Sequence, residues 1–304
     1  MKRTATLLLA MTALTMGRGK PTPLERPGAF RTEARLVMVP VTVLTKRGEP
    51  VTGLARDVFR VSEDGVERHI CSFHEDDGAI SVGIVFDVSG SMRPLLGLAK
   101  ESLKAVVAGL NASDNAFLAF VSDGNGRGVM EFGSEFDAIP GRVSLARASG
   151  STALIDAIYG SYEAQRHRKD ARKALVVISD GMDNHSRHSL SDLLKDSAEW
   201  DEAIYSVTLA TPTGHKAVEV AEESRGPLLL NELASQTGAI SFRVYDHADL
   251  SRATSVLSHA LHNRYNIGYV PDESPLTLSK WRKIRVTVSR PGLKVHARAG
   301  YRSE

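Results

Sequence analysis

The feature that most constrains the fold is an alternation of two hydrophobic periods between residues 79 and 263. Short apolar runs such as Ser81–Phe86 and Ala174–Ile178 alternate with longer segments, such as Leu95–Leu110, whose apolar residues recur at helical spacing. Strands that alternate with helices in this way form a mostly parallel sheet with helices on both faces. We therefore predict a doubly wound α/β fold for residues 79–263.

The other segments of this region fit the same scheme. The remaining predicted elements are strands at Ala116–Val121, Ala203–Leu209 and Ala239–Val244 and helices at Leu154–Tyr162, Leu190–Trp200, Leu228–Thr237 and Ala248–Asn263. The run Val129–Phe132 follows Ala116–Val121 after a short glycine-rich connector, and so short a connector permits only an antiparallel hairpin. We expect this run to be the one antiparallel strand, at an edge of the sheet.

The first 34 residues differ in composition from the rest. Two cations, Lys2 and Arg3, precede an apolar run from Leu7 to Met16 that is too short to span a bilayer. This pattern predicts a signal peptide over residues 1–18 and a secreted or periplasmic protein without a transmembrane span; a cytoplasmic tail is the alternative. Residues 19–34 are rich in Pro, Gly and Arg and are predicted to be a linker.

Small β segments are predicted on both sides of the α/β region. Residues 35–78 contain two β-type runs and an Asp64-Gly65 hairpin signal, and residues 264–304 contain three alternating runs with a Pro291-Gly292 turn. Cys71, the single cysteine, excludes an intramolecular disulfide, and its apolar neighbours favour a small buried side chain.

Composition limits the classes of function. The chain has 304 residues, is 42% hydrophobic and carries a formal net charge of +2. It is long and apolar enough to form a sizeable core, and its charges of both signs are mixed. We therefore expect a globular protein that does not bind nucleic acid, since nucleic-acid binders concentrate positive charge.

A polar motif stands directly after the first long strand. It reads Asp87-Val88-Ser89-Gly90-Ser91-Met92, with a carboxylate and two hydroxyls at alternate positions. Alternate residues of an extended or turning loop can point to one side, so Asp87, Ser89 and Ser91 can converge. Oxygen ligands without His or Cys suit a hard cation such as Mg²⁺, Mn²⁺ or Ca²⁺ rather than zinc.

Two further segments can complete this half-site. Thr152 precedes a predicted helix, and Asp180 follows the strand that ends at Ile178. Ligand sites of parallel sheets lie at the carboxyl ends of the strands, and both residues fall in loops on that side. We therefore predict that Asp87, Ser89, Ser91, Thr152 and Asp180 form one metal site.

This pattern resembles the metal-ion-dependent adhesion site of the von Willebrand factor A (VWFA) family, a Rossmann-like fold. The family motif is Asp-x-Ser-x-Ser, then a distant Thr, then Asp-Gly, and the same five positions match it; Ser179 stands where many members have Thr. The flanking β segments resemble a bacterial subgroup, the VWFA-related proteins of acidobacteria.

The resemblance implies a binding or adhesion module and not an enzyme. In the family, the divalent cation, for which Mg²⁺ is our first expectation, is completed by an Asp or Glu of a protein partner. The alternative is an intracellular scaffold of the same fold that assists a partner enzyme or ATPase.

Other interpretations of the motif explain less. Ser89 or Ser91 could simply cap the helix that begins near Arg93, but capping needs one hydroxyl and leaves Thr152 and Asp180 unexplained. A phosphotransferase of the haloacid dehalogenase type needs a second Asp at position 89, which is Ser, and a serine hydrolase needs Gly-x-Ser-x-Gly.

Three weaker signals are assigned to ordinary structure. His185 and His188 near Asp183 are interpreted as a solvated loop, Gly124–Gly128 as a turn that lacks the lysine of a phosphate loop, and Arg166–Lys169 as the basic end of a helix.

Overall fold

The computed structural model describes residues 36–121, 136–168, 172–211, 225–271 and 280–303. The strands are β1 (Val37–Thr45), β2 (Phe59–Glu63), β3 (Val66–Arg68), β4 (Ile70–Asp76), β5 (Ile80–Asp87), β6 (Asn115–Val121), β7 (Arg172–Ser179), β8 (Ala203–Leu209), β9 (Ser241–Val244), β10 (Arg264–Tyr269), β11 (Trp281–Val288), β12 (Leu293–Ala297) and β13 (Gly300–Arg302). The helices are α1 (Leu96–Ala108), α2 (Ile139–Ser144), α3 (Leu154–Gln165), α4 (Leu190–Ser197), α5 (Arg225–Thr237) and α6 (His247–His262).

The centre of the chain forms a five-stranded sheet in the order β6-β5-β7-β8-β9. All four neighbouring pairs are parallel. This confirms the predicted doubly wound, mostly parallel α/β class. The predicted antiparallel strand, Val129–Phe132, lies outside the described residues, so the sheet as described is wholly parallel.

Helices cover both faces of this sheet. Side chains of α1, α2 and α6 pack into one apolar cluster with the sheet, and those of α3, α4 and α5 pack into a second cluster with it. Every residue of β5 is buried, because a strand at the centre of a doubly covered sheet meets water on neither side. Its continuous apolar run therefore carries the chain through the core and delivers Asp87 to the far edge.

The two predicted β segments form one β sandwich. Its sheets have the orders β12-β1-β10-β4 and β13-β11-β2-β3, so each combines strands from before and after the α/β region. One core joins them, with Val41 of β1, Phe59 of β2 and Tyr265 of β10 among its buried residues. The turn at Asp64-Gly65 has positive φ at both positions, 51° and 85°, as a tight hairpin requires.

Two expectations about the β segments are corrected. Sequence reasoning assigned no strand to Ile70–Asp76, which is β4 and pairs with β10. Cys71 is exposed and not buried, because β4 turns alternate residues to opposite faces and the neighbouring Ile70 occupies the core.

Several other predicted segments lie wholly or partly outside the described residues. The predicted signal peptide, the linker and the glycine-rich connector Gly124–Gly128 lie outside them. Helix α3 ends at Gln165, so Arg166 and Arg168 follow it directly, and Lys169 is not described. Within the described residues, no helix combines the length and apolar character needed to cross a membrane.

Candidate metal site

The candidate site lies where the strand order reverses. The chain passes from β5 to β6 on one side and then crosses from β6 to β7 on the other side of β5, so the strand order changes direction at β5. Parallel sheets bind ligands at the carboxyl edge of such a switch point. Asp87 is the last residue of β5, and Ser179 is the last residue of β7.

Asp87 is a completely buried carboxylate that is held on both oxygens. Its Oδ1 accepts a hydrogen bond from the backbone N–H of Ser89 at 2.8 Å, and its Oδ2 accepts one from the hydroxyl of Ser179 at 2.6 Å. Burial raises the pKa of Asp87 to about 6; the hydrogen bond from Ser179 opposes this shift, whereas the charge of Asp180 adds to it. The folded structure therefore fixes the position of this carboxylate, and the loss of its hydration costs free energy.

Ser91 lies in the 3₁₀ turn Gly90–Met92, and Ser89 directly precedes this turn. Ser89 precedes this turn without a side-chain capping bond, and its Oγ lies 3.1 Å from the Oγ of the exposed Ser91. Helix α1 is preceded by Leu95 and also has no side-chain cap. The two hydroxyls face each other instead of capping a helix, which is unfavourable to the capping interpretation.

The loop before α3 is bonded to this motif through its backbone. The N–H of Gly90 donates to the carbonyl of Gly150 at 2.9 Å, and the N–H of Ser149 donates to the carbonyl of Val88 at 2.8 Å. Thr152 follows two residues after Gly150 and is buried. Its hydroxyl donates no hydrogen bond to a described residue and is therefore available as a ligand.

The loop after β7 is bonded in turn to the Thr152 segment. The backbone N–H of Thr152 donates to Oδ1 of Asn184 at 2.9 Å, and the carbonyl of Thr152 accepts from the N–H groups of Asn184 and His185. Asp180, at the start of this loop, is partly exposed, and its Oδ1 accepts from the N–H of Met182 at 3.0 Å. The three predicted segments thus form one continuous hydrogen-bonded unit.

The position after Asp180, which Gly181 occupies, has no room for a side chain. Its φ is +81°, and a Cβ there would lie 2.3 Å from the carbonyl oxygen of Gly226, at the start of α5. Its N–H also donates to the hydroxyl of Ser179 at 2.8 Å. Only a residue without a side chain fits between Asp180 and α5 at this distance.

The donor set is two carboxylates and three hydroxyls. Asp87 and Asp180 form no ion pair with a described Lys, Arg or His, and the described residues contain no cluster of three or more His, Cys, Asp or Glu placed to hold a metal ion. Such a set is unsuited to zinc and suits a hard cation that keeps water or a further oxygen among its ligands.

Sequence reasoning missed the acids that hold the loop after β7 in place. Asp183 Oδ2 accepts from the N–H of Ile155, in the first turn of α3, at 2.9 Å. Asp156 Oδ1 lies 2.7 Å from Nδ1 of His188 and also accepts from the backbone N–H of His188. Burial of Asp156 is outweighed by these hydrogen bonds and by that from the N–H of Arg187, which lower its pKa. A local signal existed only for Asp156, which lies in the first turn of α3, where an acidic side chain is favourable.

Solved structures that resemble this chain include VWFA domains. The conserved hypothetical protein BatB from Bacteroides thetaiotaomicron is 16% identical, with 60% of this chain and 98% of that chain covered and a TM-score of 0.47. The von Willebrand factor type A protein from Catenulispora acidiphila is 13% identical, with 90% and 75% covered and a TM-score of 0.45. The SpRpn10 VWA domain is 12% identical, with 59% and 93% covered and a TM-score of 0.42.

Two of these three structures are of von Willebrand factor A proteins, the family that the sequence resembles. No family model and no curated protein matches the chain. At these identities and TM-scores the solved structures carry no argument about function, which depends on the site itself.

Proposed function

We propose that this protein is a binding module that holds a divalent cation with Asp87, Ser89, Ser91, Thr152 and Asp180 and uses it to bind a carboxylate of a protein partner. The observation that carries the proposal is Asp87, a fully buried carboxylate fixed on both oxygens at the carboxyl edge of the sheet. A buried charge is stable only when it is paired or coordinates a metal, and the described residues offer it no cationic side chain.

The charge balance of the donor set supports a partner ligand. Two carboxylates offset the charge of one divalent cation, and the three hydroxyls add none. A cation held mostly by neutral oxygens remains a good acceptor for another carboxylate, which an Asp or Glu of a partner can supply. Ser91 is exposed and Asp180 partly exposed, so the site is open to solvent on the side where a partner would approach. We propose Mg²⁺ as the cation, with Mn²⁺ or Ca²⁺ as alternatives.

The residues of the motif favour binding over catalysis. A serine hydrolase needs Gly-x-Ser-x-Gly at its nucleophile, and neither Ser89 nor Ser91 stands in such a sequence. A phosphotransferase of the haloacid dehalogenase type needs a second Asp at position 89, which is Ser. We therefore propose that the protein is not an enzyme.

A thermal-unfolding experiment tests the metal site. We expect Mg²⁺ or Mn²⁺ at a hundredfold its dissociation constant to stabilise the wild-type protein by roughly 2.7 kcal/mol relative to EDTA. Asp87→Asn and Ser91→Ala should lose most of this shift, and Ser91→Ala should keep the wild-type melting temperature in EDTA because its side chain is exposed.

Ser289→Ala is the matched control, since Ser289 is an exposed serine just after β11 in the sandwich. It should respond to metal as the wild type does. A wild-type protein that responds to none of Mg²⁺, Mn²⁺ and Ca²⁺ at millimolar concentration would contradict the proposal.

We also propose that the protein acts outside the cytoplasm, as a secreted or periplasmic module. The support is the cationic and apolar pattern of residues 1–18. Expression of the full chain in a bacterium, followed by mass measurement of the exported fraction, should find a chain that lacks about the first 18 to 20 residues. An uncleaved chain that stays in the cytoplasm would favour the scaffold alternative.

A further inference from the structure

Each of the three loops that build the candidate metal site also carries an exposed arginine. Arg93 follows Ser91 by two residues, Arg147 precedes Ser149 by two, and Arg187 lies in the loop after β7. None of these arginine side chains forms an ion pair or a hydrogen bond with a described residue. We call Arg93, Arg147 and Arg187 the arginine rim.

Backbone bonds place each member of the rim next to the site. The N–H of Arg93 donates to the carbonyl of Gly90 at 3.3 Å, within the motif turn. Arg147 lies between Ala146, whose carbonyl accepts from Nζ of Lys100 at 2.9 Å, and Ser149, whose N–H donates to Val88. Hydrogen bonds therefore hold the backbone on both sides of Arg147.

The backbone of Arg187 is fixed by a hydrogen bond to the first turn of α3. Its backbone N–H donates to Oδ2 of Asp156 at 3.0 Å, in the first turn of α3, directly after the Thr152 segment. The charged groups of all three arginines are exposed, while the backbone that carries them is held by the site's own hydrogen bonds.

The two acids Asp156 and Asp183 keep their negative charge, but they are fewer than the three arginines and their oxygens face other donors. Asp183 accepts from the N–H of Ile155 and from Ser186, and Asp156 accepts from three donors of the next loop. Both acids lie at the N-terminal end of α3, whose dipole favours negative charge. A divalent cation would in turn offset the charges of Asp87 and Asp180. The surface around the loaded site therefore has an excess of positive charge.

From this arrangement we infer that the partner presents an acid-rich segment, in which the carboxylate that binds the cation is flanked by further Asp or Glu residues that pair with the arginine rim. The inference rests on the proposed function, since the rim lies on the loops that carry the proposed metal site. The planar, exposed guanidinium groups suit carboxylates, and complementary charge around a binding site fixes specificity and speeds association.

Two short fluorescent peptides test this inference with the full chain. The first contains one Glu among Gly and Ser residues, and the second has the same Glu with Asp on both sides. In Mg²⁺ at about 0.15 M ionic strength we expect the second peptide to bind about tenfold more tightly in fluorescence anisotropy, because each exposed ion pair between a flanking Asp and an arginine of the rim contributes modestly. This preference should shrink at high salt and disappear in EDTA.

The variant R93Q/R147Q/R187Q should lose the preference while retaining the metal-induced thermal shift. The matched control is R47Q/R285Q/R290Q, which removes three exposed arginines from the sandwich and should leave the preference intact.

The failures can be told apart. If metal stabilises the protein but both peptides bind equally, or the rim variant keeps the preference, the rim inference is overturned and the metal site stands. Two other results would also overturn the rim inference, because they would indicate a general attraction to anions. One is binding of the acid-rich peptide that persists in EDTA and in Asp87→Asn, and the other is equally tight binding of a DNA oligonucleotide of equal charge. If metal neither stabilises the protein nor promotes peptide binding, the proposed function and the rim inference fail together.

Discussion

At the scale of single residues, the site depends on a side chain that is not one of its predicted ligands. Ser179 donates its hydroxyl to Oδ2 of Asp87 at 2.6 Å and accepts the N–H of Gly181 at 2.8 Å. It therefore joins the carboxylate that ends β5 to the loop that carries Asp180. In the proposed metal site, Ser179 would be a positioning residue that acts on the cation through Asp87.

We predict that Ser179→Ala weakens Mg²⁺ or Mn²⁺ binding by roughly 10-fold to 100-fold, because loss of a hydrogen bond that orients a ligand has effects of this size. Ser179→Thr should bind as the wild type does, since it keeps the hydroxyl. Isothermal titration calorimetry measures both affinities. Equal affinities for Ser179→Ala and the wild type would contradict the positioning role, and failure of Ser179→Thr to restore binding would indicate a packing effect instead.

Sequence reasoning could predict the five candidate ligands but not this contact. Asp87, Ser89 and Ser91 stand together in the chain, so their spacing alone suggests a common target. The contact of Ser179 with Asp87 depends on the register of β7 against β5, in which Ile178 pairs with Phe86. That register is set by the packing of the whole sheet and is not visible in a local pattern.

At the scale of elements, the last helix of the α/β region is anchored by a buried pair. Nε2 of His262, at the end of α6, lies 2.7 Å from Oδ2 of Asp114, and its Nδ1 lies 2.7 Å from the carbonyl of Ser258. Asp114 also accepts the N–H groups of Ile80 and Asn111. Both ring nitrogens of His262 therefore lie within hydrogen-bonding distance of an oxygen.

We predict that Asp114→Ala lowers the free energy of unfolding by about 3–5 kcal/mol, because it leaves a buried partner and two N–H groups without an acceptor. Glu101→Ala is the matched control: Glu101 pairs with His247 at the other end of α6, at 2.8 Å, but both side chains are at least half exposed. It should change stability by less than about 1 kcal/mol. Urea unfolding measures both, and similar losses for the two variants would contradict the assignment of a buried anchor.

Local periodicity located the long helices and strands of the α/β region to within three residues at each end, whereas it predicted neither α2 nor the pairing of strands over long distances. Ala203–Leu209 has the predicted bounds, and α6 differs from its prediction by one residue at each end. By contrast, β4 has a largely polar sequence and becomes a strand because it pairs with β10, which lies nearly two hundred residues later. No local signal could identify this partner.

At the scale of the whole molecule, stability should depend on pH through Glu202. This carboxyl is buried where α3, β7 and β8 meet; its Oε2 accepts from Nε2 of Gln165 at 2.7 Å, and its Oε1 has no hydrogen-bond partner but lies 3.9 Å from Nζ of Lys173. Burial raises the pKa of Glu202 to about 7 from an ordinary value of 4.5. Between these two values the folded chain keeps a proton that the unfolded chain releases.

We therefore predict that this residue lowers stability as pH rises from about 4.5 to about 7, by roughly 1–3 kcal/mol. Glu202→Gln removes the titrating group, so the free energy of unfolding of the variant, minus that of the wild type, should increase over this range and then level off. Urea unfolding at a series of pH values gives this difference. A difference that stays constant with pH would contradict the prediction.

The way in which the chain connects the α/β region to the β sandwich has a mechanical consequence. β4 leads into β5, α6 runs into β10, and β4 and β10 are paired, with Asp76 opposite Arg264. The candidate site lies at the other end of β5, about 25 Å away for a strand of eight residues. A tensile load from a bound partner would enter at Asp87, pass along the central strand and divide between two connections that are hydrogen-bonded side by side. The force on the α/β region would then be shared between β4 and β10 of the sandwich, and neither strand would carry all of it.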